Sequence, residues 1–234
     1  MQSKFGERRN PYKVAVLRGS EKSHWEIEES KYLKALANTY RALYQEKGKQ
    51  FGVGSLQFSV NETSSREKFN RQLTNIRRSP KKPDGIHFMG HGGRTKDKTF
   101  IVVGCEEIDL KSEFDQSMFK GIGLSDDLGT GWILFSCCKI GDDAESLKRL
   151  AKISGRTVFA FESSENPSDT GGKDTDLLEH QAFIVDSMFY HLMFTPHGYF
   201  NSDQDNIPYC DIRDPLKRAI EALAIGTSIY MVEP

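Results

Sequence analysis

Ile86-His87-Phe88-Met89-Gly90-His91-Gly92-Gly93 is the stretch on which the fold turns, and Trp132-Ile133-Leu134-Phe135-Ser136-Cys137-Cys138 is its counterpart. Each is a short apolar run that ends abruptly at a reactive side chain, the imidazole of His91 and the thiol of Cys138. Apolar runs of this length, flanked by glycine, read as strands buried on both faces of a parallel sheet. Ligands of open α/β sheets bind just beyond the carboxyl ends of the strands. Two neighbouring strands ending this way would bring a nucleophile and an acid/base to one cleft, the pair that covalent thiol catalysis needs.

Working outward, 12–17 reads as a short strand and 28–45 as a helix with Tyr32, Leu33, Leu36, Tyr40 and Leu43 at helical spacing. A strand over 51–60 follows. Then comes a helix capped by Thr63 or Ser64, with Phe69, Leu73 and Ile76 on one face, ended by Pro80 and Pro83. Between the two signature stretches, 99–103 and 107–110 form an expected hairpin turning at Gly104-Cys105. A short helix is expected over 111–120, and then a glycine-bearing loop over 121–131. After Cys138 the pattern predicts a helix over 143–154 stopped by Gly155, a buried strand over 157–161 and a polar loop over 162–174. Helices over 177–193 and 215–224, separated by a polar loop, lead to a last strand over 228–232. Strands alternating with helices argue for a parallel-rich α/β sheet.

The bulk numbers exclude several classes. The chain has 234 residues, 37% hydrophobic and 28% charged, enough for one large domain or two small ones. A formal net charge of -1 gives no general nucleic-acid footprint. The basic group Arg77, Arg78, Lys81 and Lys82 reads as a solvated helix end, with a partner contact as the alternative. No run approaches the roughly 18 apolar residues a membrane span needs. The start, Met1 to Arg9, has charge with no apolar stretch behind it, so no secretion leader is expected. Cys105, Cys137, Cys138 and Cys210 show no disulfide spacing, so a reducing cytoplasm is the expected setting.

Metal and cofactor chemistry find little footing. His87 and His91 in an extended strand would stand roughly 13 Å apart, too far for one zinc ion with bonds of about 2 Å. The chain has no Cys-x-x-Cys, and Gly90-His91-Gly92-Gly93 lacks the spacing and the following Lys-Ser/Thr of a phosphate loop. His87, flanked by apolar residues inside a strand, reads as a satisfied core histidine. Cys137 and Cys138 point to opposite faces, so only one can share a cleft with His91.

The two blocks together resemble the caspase-like clan of cysteine peptidases, and within it the CHAT branch, related to caspases, separases and gingipains. His87-Phe88-Met89-Gly90-His91-Gly92 matches the branch's His-Phe-x-Gly-His-Gly block. Phe135-Ser136-Cys137-Cys138, followed by Gly141 and a helix, stands where Leu-Ser-Ala-Cys is usual. The likeness spans residues 10–175, and the order of hairpin, helix and strand agrees. Two departures stand out: Cys137 where alanine is usual, and Phe161-Glu162 where a tryptophan often follows the next strand.

The resemblance implies a caspase-like three-layer α/β sandwich, with a mostly parallel central sheet and helices on both faces, over a single domain 1–234. It implies Cys138 as nucleophile and His91 as acid/base, with the backbone N–H groups of Gly92 and Cys138 as the oxyanion hole. Acidic residues in the loop after 157–161, Asp169 foremost with Glu162 and Glu165, would favour a Lys or Arg before the scissile bond; an ordinary solvated acidic loop is the competing reading. A preference for Asp would need an arginine, for which Arg18 and Arg94 are the candidates. The expected activity is endoproteolysis of a protein substrate without cofactor or metal, under control of an activating or sensor protein in signalling or bacterial defence, with no direct nucleic-acid or membrane contact. Two other readings stay open: a catalytically silent caspase-like binding module, and a doubly wound domain holding a small molecule.

Overall fold

The computed structural model describes residues 12–19, 31, 56–123, 131–137, 139–162 and 229–234. Its centre is a six-stranded sheet of β1 (Tyr12–Arg18), β2 (Leu56–Glu62), β3 (Gly85–Met89), β7 (Trp132–Ser136), β8 (Thr157–Phe161) and β9 (Ile229–Val232), in the order β2-β1-β3-β7-β8-β9. Every pairing is parallel except that of β8 with β9. A second, antiparallel sheet of β4 (Gly92–Arg94), β5 (Thr99–Val103) and β6 (Glu106–Asp109) is inserted between β3 and β7.

Strands β3, β7 and β8 are buried at every residue, which is why they read as unbroken apolar runs rather than alternating ones. On one face Ala15, Leu17, Ile86, Phe88, Ile133, Phe135, Val158 and Ala160 join one hydrophobic cluster. Helices α1 (Arg66–Arg78) and α3 (Ala144–Ser154) both pack there, through Phe69, Leu73 and Ile76 and through Leu147, Leu150 and Ala151. The opposite face, with Val14, Val16, His87, Met89, Leu134, Ser136 and Phe159, is buried as well. The two long helices described thus share a face, and the expected helices over 28–45, 177–193 and 215–224 lie outside the described residues.

Four rings close a circuit in the core. Phe69 meets Phe88 and Phe119 at 5.8 Å each, and Phe135 meets Phe88 at 6.1 Å and Phe119 at 6.3 Å. Such edge and tilted contacts add about 0.5–1.5 kcal/mol per pair beyond burial. They tie β3 and β7 to α1 and to the 3-10 turn Ser117–Phe119.

The structure corrects some boundaries. The cap of α1 is Ser65, whose Oγ accepts from the Lys68 amide at 3.2 Å. Thr63 is not available for that role, because its hydroxyl donates to the Arg18 carbonyl at 2.6 Å and fastens the end of β1. The expected helix over 111–120 is a single turn, α2 (Glu113–Gln116), running into the 3-10 turn. Gly92-Gly93, to which the sequence pattern gave no element, belongs to strand β4, paired with Ile101 and Phe100. Arg77 lies within α1 and donates to the Met118 carbonyl at 2.7 Å, so it is not simply a solvated end. The hairpin turns at Gly104-Cys105 as expected, and Gly155 closes α3 at φ 69°, the left-handed conformation that favours glycine. Among the described residues, no helix is long and apolar enough to cross a membrane.

Candidate active site

Strands β3 and β7 are direct parallel neighbours, with Met89 level with Ser136. His91 is the second residue beyond Met89, and Cys138 the second beyond Ser136. Cys138 itself lies outside the described residues, as do Glu165 and Asp169. The carboxyl edge of the sheet, where the site was expected, is therefore described through His91, Gly92, the residues flanking Cys138, and Glu162.

The loop after β3 is held by backbone. The His91 carbonyl accepts from the Val102 amide at 2.9 Å, and its ring is half-buried. His91 and Val102 are thereby a hydrogen-bonded pair of the antiparallel ladder, and such pairs alternate with pairs that make no ladder bond. Gly92, opposite Ile101, is of the second kind, so its amide points away from β5 at the outer edge of β4. Gly92 also sits hard against the turn after β7: a Cβ there would lie 2.9 Å from Cys137 Cβ and 3.0 Å from Ile140 Cδ1. Only a residue without a side chain allows this approach. The loops leaving β3 and β7 are in van der Waals contact at the position where the acid/base and the nucleophile were expected to meet.

The turn after β7 is held differently. Lys139, exposed, has φ 61°, a left-handed conformation uncommon outside glycine and asparagine. The Gly141 amide donates to the Phe161 carbonyl at 2.8 Å, which fastens the turn to the end of β8. Arg94 of β4 donates from Nη1 to the Asp142 carbonyl at 2.5 Å. Asp143 caps α3: its Oδ1 accepts from the Ser146 amide at 3.2 Å, and its Oδ2 accepts from the hydroxyls of Thr99 at 2.6 Å and Ser146 at 2.8 Å. Burial pushes the Asp143 carboxyl pKa up. The bonds from Thr99 and Ser146, with Lys111 nearby at 3.9 Å, outweigh it and hold the pKa below the usual aspartate range.

His87 is the satisfied core histidine the sequence suggested. It is fully buried, and Nε2 lies 2.7 Å from Ser136 Oγ across the β3–β7 boundary. Cys137 is buried in the hydrophobic cluster, as a structural thiol would be. Glu162, half-buried, is the first residue past β8, one strand over from the β7 tip. Arg18 is buried at the end of β1 and ion-paired with Glu62. Sequence reasoning missed the grip of Arg94, Thr99 and Asp143 on the turn. The only legible hint was Asp143 at a helix start with Ser146 three residues on. No protein-family model matches this chain, and no curated protein matches it in sequence.

Proposed function

We propose that the chain is a caspase-like cysteine endopeptidase working through Cys138 and His91. One observation carries the reading: β3 and β7 are adjacent, parallel and level, with His91 and Cys138 at equal chain distance beyond them. The packing of Gly92 against Cys137 and Ile140 supports the same meeting point.

In this reading the Cys138 thiolate attacks the peptide carbonyl, and the developing oxyanion is met by the N–H groups of Gly92 and Cys138. The outward direction of the Gly92 amide suits that role. Each such donor is worth about 2.7–4 kcal/mol in the transition state. His91, having taken the Cys138 thiol proton, gives it to the departing amine, which leaves a thioester on Cys138. Water, with its proton taken by His91, then releases the new carboxyl end. The start of α3, which follows Cys138 in the chain, would favour its thiolate form. A thiol used this way suits a reducing compartment such as the cytoplasm.

A basic residue before the scissile bond is the preferred substrate class. Glu162 at the tip of β8 supplies negative charge beside the cleft, with Glu165 and Asp169 following it in the chain. The two arginines that would suit an aspartate are engaged, Arg18 with Glu62 and Arg94 with the Asp142 carbonyl. The central sheet with α1 and α3 on one face is compatible with the three-layer caspase-like sandwich. In that fold, a partner protein would control the site.

Fluorogenic peptides ending in Lys, Arg or Asp test the reading. Cleavage after Lys or Arg that disappears in Cys138→Ala and His91→Ala supports it. Equal turnover by Cys138→Ala would remove that residue from the mechanism, and a preference for Asp would remove the acidic pocket. A folded chain that binds a partner but leaves every peptide intact would favour the silent binding module.

A further inference from the structure

Resting on the peptidase reading, we propose that Arg94 is a positioning residue that ties the connection carrying His91 to the turn that follows Cys138 in the chain. The two reactive residues lie on separate connections, and few bonds between described residues cross from one to the other. His91 directly precedes β4, whose three residues end at Arg94. From there the guanidinium reaches over to the turn after β7 and donates to the Asp142 carbonyl, four residues beyond Cys138. The strand that starts beside His91 thus holds the turn over 139–142.

The burial of the other groups separates Arg94 from the rest of the grip. Asp143 and Thr99 are buried and help to cap α3, so their loss would disturb the fold itself. Arg94 is exposed, and the bond it makes is to a backbone carbonyl in a turn. Nothing in the core depends on it. A planar guanidinium fixes both the direction and the reach of that bond more tightly than an ammonium would. Near-attack geometry is steep in distance, and a misplacement of about 1 Å can cost about 100-fold in rate.

The test compares wild type, Arg94→Ala and Arg94→Lys. Three quantities are read: kcat and KM on a set of Lys-, Arg- and Asp-ending peptides, the melting temperature, and the iodoacetamide alkylation rate of Cys138 by mass spectrometry. Arg94→Ala should lower kcat by about 10- to 100-fold on every cleaved peptide, slow Cys138 alkylation, and leave KM and melting unchanged. Arg94→Lys, which still carries a donor, should recover part of the loss. Wild-type kcat and alkylation in Arg94→Ala would overturn the proposal and leave the peptidase reading standing. A rise in KM confined to one class of peptide would also overturn it, by making Arg94 a substrate contact. If wild-type Cys138 reacted no faster than the exposed Cys105 and cleaved nothing, both readings would fall together.

Discussion

The connection leaving β3 and the connection leaving β7 touch at Gly92 and are fixed by different means. After β3 the chain passes straight into another strand, so His91 and Gly92 are fixed by a backbone ladder to β5. After β7 the chain turns through a left-handed Lys139 and, beside the one backbone bond from Gly141 to Phe161, is fixed by side chains: Arg94 on Asp142, and Thr99 and Ser146 on Asp143. A ladder tolerates changes of side chain but no added volume at its points of close approach. A side-chain grip depends instead on each polar group, although this turn has its own point of close approach at Gly141, where a Cβ would lie 2.7 Å from the backbone of Phe161 and Glu162. The half that carries His91, the proposed acid/base, should therefore break through sterics, and the half that carries Cys138, the proposed nucleophile, chiefly through lost hydrogen bonds.

The proposed catalytic pair comes first. His91→Ala and Cys138→Ala should each remove at least about 10³-fold of peptide hydrolysis, while circular dichroism and melting stay close to wild type.

The steric half is probed next by Gly92→Ala. Its methyl would fall 2.9 Å from Cys137 Cβ and 3.0 Å from Ile140 Cδ1. Overpacking of that kind costs about 1–3 kcal/mol, and pushing the two loops apart should reduce kcat by about 100-fold. A Gly92→Ala protein with wild-type kcat and denaturant midpoint would show that the two connections do not need to touch.

The polar half is probed by Asp143→Asn, which should destabilise the fold by about 1–3 kcal/mol at neutral pH, because a buried cap and its partners lose their match. The sign with pH follows from the lowered pKa. The unfolded chain binds the proton more tightly than the folded one, so the carboxylate adds stability above the ordinary aspartate range. That contribution fades as pH falls through the folded value. Denaturation curves of wild type and Asp143→Asn should accordingly converge in strong acid, and a gap that stayed constant from neutral pH downward would contradict the assignment. The smallest effect belongs to Lys139→Gly. Relief of the left-handed backbone should change stability by about 1 kcal/mol or less, while a looser turn lowers kcat modestly.

Much of this was legible in the chain before any coordinates. Strands β3, β7 and β8 announced themselves as apolar runs because both of their faces are covered, and α1 through the spacing of Phe69, Leu73 and Ile76. The hairpin and the Gly155 stop followed from turn chemistry. Strand β4 was hidden, because Gly92 and Gly93 have no side chains to carry a pattern, and pairing with β5 alone makes them strand. The cap at Ser65 was misread by a residue or two because Thr63 and Ser64 offer the same hydroxyl. Choosing among them depends on where the Arg18 carbonyl lies.

The sequence alone determined most of the described strands and both long helices, β4 excepted, since period and burial act through neighbours along the chain, and it singled out His91 and Cys138 as the ends of two apolar runs. Only the tertiary structure decided that β3 lies beside β7 with Met89 level with Ser136, and that Arg94 reaches Asp142. Strand order and register are set by packing and hydrogen bonds between segments far apart in the chain, which leave no periodic trace in either one.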